Sequence, residues 1–146
     1  MKPSCLVAIA LLLATALFSS CSSLSTRSVV DLAPFKRIYV VHRLTDDHRL
    51  DELFVRELTS LGHEASSGPI TMLPENAEAV LTYTDRWEWD FKSYLIELAI
   101  ELRTARSDKK LADGRYYQPS LKTKAPAEVI HDVLAPLFPT TPKHSS

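Results

Sequence analysis

Two consecutive segments alternate between hydrophobic and polar positions, the pattern of neighbouring β-strands with one buried face. One face of residues 94–103 carries Tyr94, Ile96, Leu98, Ile100 and Leu102, and one face of residues 79–90 carries Ala79, Leu81, Tyr83, Trp87 and Trp89. Opposed residues share a side of the sheet, so the favoured register pairs Tyr83 with Ile100, Arg86 with Glu97, Trp87 with Ile96 and Trp89 with Tyr94. The loop is then Phe91-Lys92. Neither residue favours positive φ, so a four-residue loop or a register shifted by two positions is the alternative.

The remaining pattern predicts three shorter strands and two helices. Charged residues flank the apolar run 38–41, which predicts a buried strand. Thr45 or Asp46 can cap a helix over residues 50–61, and Gly62 ends that helix. Weaker patterns predict strands at 64–67 and 111–118, and Pro126 begins a helix that runs to residue 138. The order β-α-β-β-β-β-α predicts a small α+β domain, an antiparallel sheet with both helices on one face.

Asp85 breaks the alternation, because it lies on the apolar face between Tyr83 and Trp87. A buried unpaired carboxylate costs several kcal/mol, so it must find a donor, take up a proton or lie at a bulge that turns it outward. We expect a bulge or an uncovered rim, and otherwise a structural carboxylate whose charge discourages strand slippage.

Aromatic residues concentrate near the predicted end of the hairpin. They are Trp87, Trp89, Tyr83, Tyr94 and Phe91. If the helices leave them uncovered, they form a surface for a protein or glycan partner, since aromatic anchors dominate binding energies. The alternative is that they complete the core.

The N-terminus has the pattern of a secretory signal. An uncharged, mostly apolar run of 13 residues extends from Leu6 to Phe18, after Lys2 and before small residues. A membrane-spanning helix needs about 20 apolar residues, so a run of this length indicates a signal that is removed.

The tetrad Phe18-Ser19-Ser20-Cys21 resembles the lipobox of bacterial lipoproteins, with Phe18 in place of the more usual Leu. The resemblance implies that residues 1–20 are a signal peptide, that Cys21 is lipidated, and that this lipid anchors the chain to the membrane. Ser22, a residue other than Asp after the Cys, implies the outer membrane, with the domain on the periplasmic face.

Processing at Cys21 also limits the chemistry. Cys5 would leave with the signal and Cys21 would carry lipid, so no thiol would remain for a disulfide, a metal or catalysis. The mature chain would have 16 basic and 18 acidic residues, a net charge of −2, which disfavours a nucleic-acid partner. No pattern indicates a cofactor, and with three glycines the chain has no glycine-rich phosphate loop.

The domain organisation predicted from these patterns is simple. Residues 21–34, with a Ser-rich stretch, form the lipidated Cys and a flexible tether, residues 35–138 form one α+β domain, and residues 139–146 form a disordered tail. With the Tyr-Thr-Asp-Arg-Trp-Glu-Trp-Asp run on its long hairpin, this organisation resembles small, mostly uncharacterised envelope lipoproteins. It is similar in architecture only to lipoproteins that assist lipopolysaccharide assembly or activate peptidoglycan synthases. That resemblance implies a non-enzymatic interaction or assembly role for an envelope component.

One cluster suggests a different function. His42, Asp46, Asp47, His48 and Asp51 lie close in sequence, and a metal-assisted hydrolase acting on envelope polymers through His42, Asp47 and His48 is the alternative. Acidic residues at a helix start also cap free amides and complement the helix dipole, and we expect that simpler role.

Overall fold

The computed structural model describes residues 22–119 and 124–139, so the predicted signal peptide, the lipidation of Cys21 and the tail from residue 140 onward lie outside the described residues. The strands are β1 (Ser23–Ser28), β2 (Arg37–Val41), β3 (Glu64–Gly68), β4 (Ala79–Asp90), β5 (Lys92–Thr104) and β6 (Lys110–Tyr117). The helices are α1 (Leu50–Ser60) and α2 (Pro126–Leu134). A six-stranded sheet of order β1-β6-β5-β4-β2-β3 carries both helices, which pack against each other and against the sheet.

The α+β class is confirmed, but the sheet is mixed and not wholly antiparallel. Strand β2 runs parallel to both of its neighbours, β3 and β4, while the pairs formed by β1, β6, β5 and β4 are antiparallel. A parallel pair needs a crossover, and α1 supplies it between β2 and β3. The order of the predicted strands and helices is the observed one, with β1 added at the front.

The segment predicted as a flexible tether forms β1, an edge strand. Its residues pair antiparallel with β6 from Ser23 opposite Tyr117 to Ser28 opposite Ala112. Most of its side chains are exposed, so backbone hydrogen bonds hold it and no apolar period marks it in the sequence. Leu32, also assigned to the tether, is 3% exposed and belongs to the core. The folded domain therefore begins at residue 23 and not at residue 35.

The core lies between the helical layer and the sheet. Phe54 and Leu58 of α1, Leu98 of β5, and Ile130 and Leu134 of α2 are fully buried. Helix α1 ends at Ser60, and Gly62 follows Leu61 with φ 92°, in the helix-ending role predicted for it. Helix α2 ends at Leu134, before Pro136, and Leu137 and Phe138 remain buried in the turn that follows.

The predicted hairpin register holds along most of β4 and β5 and then shifts at a bulge. Tyr83 opposes Ile100 and Arg86 opposes Glu97, as predicted, but Trp87 then opposes Leu95 and Trp89 opposes Ser93. Ile96 is the extra residue, so Leu95 faces the core and is fully buried, and the predicted Trp87–Ile96 and Trp89–Tyr94 pairs are wrong.

The bulge also changes the turn. Asp90 opposes Lys92, so Phe91 alone forms the loop, at φ 62°. A two-residue hairpin loop commonly needs positive φ at both central positions, which neither Phe91 nor Lys92 favours. With the shift, only one residue adopts that conformation.

No helix among the residues that the structure describes has the length and hydrophobicity needed to cross a membrane.

His63 is a buried histidine at the start of β3. Its Nδ1 lies 3.0 Å from the carbonyl oxygen of Phe35, and its ring meets Phe138 edge to face at 4.5 Å. Burial, above all, lowers the pKa of His63 below its usual value. As the pH falls through about 6.5, His63 is therefore protonated in the unfolded chain before it is protonated in the folded protein. The free energy of unfolding decreases from that pH down to the lower pKa of His63 in the folded state.

We therefore expect the free energy of unfolding to fall more between pH 7 and pH 5 in the wild-type protein than in His63→Gln. Urea denaturation at both pH values measures this difference. The assignment is wrong if the two proteins show the same pH dependence over that interval.

Candidate functional site

A cluster of polar side chains lies where β2 ends and α1 begins, and Asp46 organises it. The Asp46 carboxylate accepts hydrogen bonds from the backbone N–H groups of His48 at 3.1 Å, Leu50 at 2.6 Å and Asp51 at 3.3 Å. These contacts satisfy amides that have no partner within the helix. Of the two capping residues predicted from the sequence, Asp46 is therefore the one that caps α1, and it is buried in doing so.

Tyr83 of β4 joins this cap to the core. Its hydroxyl donates to Asp46 Oδ2 at 2.6 Å, and its ring lies 5.0 Å from that of Phe54. Burial, followed by the hydrogen bond to Asp46, raises the pKa of Tyr83 far above its usual value. Tyr83 is 3% exposed, so its predicted place in an aromatic binding surface is wrong because α1 covers it.

Asp85 points inward, as the alternation predicts, and it has donors there. Arg43 forms an ion pair with one carboxylate oxygen, and Trp87 Nε1 donates to the other at 2.7 Å. The guanidinium of Arg43 also lies 5.8 Å from the centre of the Tyr83 ring. The expectation that a bulge or uncovered rim turns Asp85 outward is wrong, because the bulge begins after Arg86 and the carboxylate is paired.

The residues of the alternative metal site are not brought together. His42 Nδ1 lies 3.1 Å from Asp51 Oδ2, the His48 ring stacks on Trp87 at 3.6 Å, and Asp47 is exposed. Within residues 22–119 and 124–139, no three His, Cys, Asp or Glu side chains are placed to hold a metal ion. The cluster instead joins the start of α1 to β4.

The hairpin tip, residues 87–95, extends beyond this cluster. Strand β2 pairs with β4 only as far as Leu81, and β6 pairs with β5 from Glu97 onward, so the tip is a two-stranded ribbon at the end of the sheet. Trp89 is 75% exposed and Phe91 is 94% exposed. A shallow groove separates the ribbon from the residues that lead into α2, and Lys124, Ala125 and Pro126 line its other side.

The structure divides the predicted aromatic group into three environments. Trp87 is half-buried between His48 and the core, and Tyr94 is half-buried with its hydroxyl 3.5 Å from Glu88 Oε2. Trp89 and Phe91 form the exposed part, and Tyr83 is core. The alternation identified the faces of β4 and β5 up to the bulge, but not how far along the strands the helices reach.

Sequence reasoning missed Arg43 and the role of Asp46 toward Tyr83. Arg43 reaches across 42 positions to Asp85, and Tyr83 reaches across 37 to Asp46. Nothing in local periodicity marks such contacts. The inward position of Asp85 was the one usable signal, because a buried carboxylate requires a donor.

Comparison with known proteins identifies a shared fold. No family model matches the chain, and no curated protein is similar to it. Two crystal forms of the PelC dodecamer from Paraburkholderia phytofirmans, one of them of a point variant, superimpose with TM-scores of 0.63 at 15% and 16% identity. The alignments cover 81% of this chain and 98% or more of PelC. The chain therefore has an α+β fold similar to that of PelC.

A minor lipoprotein from Acinetobacter baumannii is also similar, at 23% identity over 67% of this chain and 84% of that one. Its TM-score of 0.34 is too low to indicate a common fold.

Proposed function

We propose that this chain is an outer-membrane lipoprotein, anchored through lipid on Cys21, whose periplasmic domain acts as a non-enzymatic interaction or assembly module for an envelope component. The observation that carries the proposal is the exposure of Trp89 and Phe91 at the end of a ribbon that projects from the sheet. Large aromatic side chains contribute more to binding than other residue types, and the fold gains little from these two.

The residues of the polar cluster have a structural role. Asp46 accepts four hydrogen bonds from within the chain, Asp85 is paired with Arg43 and Trp87, and His42 is paired with Asp51. These contacts fix the base of the ribbon against α1. The cluster thus serves to hold the tip in one position, which lowers the entropic cost of binding through it.

The assembly part of the proposal draws on the fold. PelC, whose fold is similar, is a dodecamer. Among the residues that the structure describes, β1 and β3 are the edge strands of the sheet, and edge strands present backbone groups through which copies or partners can associate.

The anchor is tested by replacing the lipidated residue in the full-length chain. Cys21→Ser is expected to move the protein from the membrane fraction to the soluble fraction, or to leave an uncleaved precursor, because several acyl chains at about 0.8 kcal/mol per buried CH₂ supply stable anchoring. Immunoblotting of fractionated cells measures the distribution and the size of the product.

Cys5→Ser is the matched control, since Cys5 lies within the predicted signal and is removed with it. That variant should fractionate as the wild type does. A processed, membrane-bound Cys21→Ser protein would refute lipid anchoring.

A further inference from the structure

The strand register places the start of β1 and the hairpin tip at the same end of the sheet. One row across four strands runs from Ser23 to Tyr117, then to Glu97, then to Arg86. Along β1, the chain before Ser23 leaves this row in the same direction as β4 does beyond Arg86. Residue 22 and residue 91 therefore lie beyond the same edge of the row.

The distances beyond this row can be estimated from backbone geometry. Two residues of chain span at most about 7 Å, which limits how far the chain can extend from Ser23 to the residue two positions before it. Phe91 follows Arg86 by five residues of extended strand, which is about 16 Å at 3.3 Å per residue. Strands β1 and β4 are three positions apart, or about 14 Å across the sheet. The tip thus reaches roughly 10 Å further beyond the row than two residues of chain before Ser23 can extend.

We propose that the component contacted by the hairpin tip is the lipid surface itself, with Trp89 and Phe91 inserted at the interface of the membrane that receives the acyl chains of Cys21. This inference rests on the proposed lipid anchor. Because β1 is a strand and begins two residues after Cys21, no long tether separates the domain from the bilayer. The strand register then determines which end of the domain faces the membrane.

The chemistry of the tip fits a lipid interface. Aromatic side chains are enriched where membranes meet water, and peripheral anchors typically bury their apolar face by about 5 to 10 Å. That depth matches the excess reach of the tip. Asp90 and Lys92 are opposed at the base of the turn, so their charges balance, and Leu24 of β1 adds a partly exposed apolar side chain at the same end. Insertion should therefore depend on apolar contact and not on anionic lipid.

Tryptophan fluorescence tests this directly, since the chain has two tryptophans, Trp87 and Trp89. The lipidated full-length product, purified from membranes, is reconstituted into phosphatidylcholine vesicles whose acyl chains carry bromine, a contact quencher. We expect the wild-type protein to lose most of the Trp89 emission in brominated vesicles, compared with unbrominated vesicles. In Trp89→Phe, the remaining emission from Trp87 should be little quenched.

The control keeps the number of tryptophans constant. Val29 is 57% exposed and follows Ser28, at the end of β1 opposite to Ser23, so Trp89→Phe/Val29→Trp moves the exposed indole away from the proposed interface. The emission of the relocated indole should remain unquenched. Because both positions are exposed, we expect all variants to keep the wild-type circular dichroism spectrum.

Flotation of the same vesicles distinguishes failure of the lipid anchor from failure of tip insertion. Protein that floats with an unquenched Trp89 would retain the lipid anchor but overturn insertion of the tip, leaving Trp89 and Phe91 as a contact for protein or glycan. Equal quenching of the wild type and the Val29→Trp control would also overturn it. Protein that does not float would overturn the anchor, and the inference with it.

Discussion

Leu98→Ala is expected to lower the free energy of unfolding by about 2 to 5 kcal/mol, the cost of removing a large apolar side chain from a well-packed core. Leu98 is fully buried at the centre of β5, opposite Asp85 and Tyr116. Both the transfer of the side chain and the cavity left behind contribute to the loss. Urea denaturation measures it.

The neighbouring residue is the matched control. Ala99 lies on the other face of β5, where it is half-buried, and Ala99→Ser should change the free energy of unfolding by less than about 0.5 kcal/mol. Equal losses in the two variants would contradict the assignment of the faces.

Asp46→Ala should also destabilise the fold, by about 1.5 to 5 kcal/mol. Losing a helix cap costs about 0.5 to 2 kcal/mol, and leaving the buried Tyr83 hydroxyl without an acceptor adds about 1 to 3 kcal/mol. Asp47→Ala removes an adjacent, exposed carboxylate and should change stability by less than about 0.5 kcal/mol. Urea denaturation of both variants gives the comparison.

A double variant separates the two contributions of Asp46. In Asp46→Ala/Tyr83→Phe no hydroxyl is left unpaired, so part of the loss seen in Asp46→Ala should be recovered. If Asp46→Ala were no less stable than Asp47→Ala, the capping role of Asp46 would be wrong.

Periodicity predicted the elements that bury a face. Both helices and the faces of β4 and β5 up to Arg86 are as expected, because apolar spacing records which side of an element meets the core, although the second helix ends at Leu134 and not at residue 138. Strand β1 was missed because its stability comes from backbone pairing with β6, which leaves no apolar period. The parallel pairing of β2 depends on chain direction after α1, which local patterns do not encode.

The candidate site could be predicted only in part, for a related reason. The alternation located the aromatic residues but not the end of the helical layer, so Tyr83 and Trp89 looked equivalent although one is core and the other exposed. The bulge at Ile96 reversed the faces beyond it, bringing Leu95 inward. Such a one-residue shift arises from turn geometry and packing together, and neither is visible in one strand's pattern.

Mass spectrometry of the mature N-terminus tests whether lipid on Cys21 holds the domain against the membrane. We expect the chain isolated from membranes to begin at Cys21 and its N-terminal peptide to carry the added mass of acyl chains. A mature chain that begins at another residue, or an unmodified Cys21, would contradict the lipid anchor and the membrane-facing position of the hairpin tip.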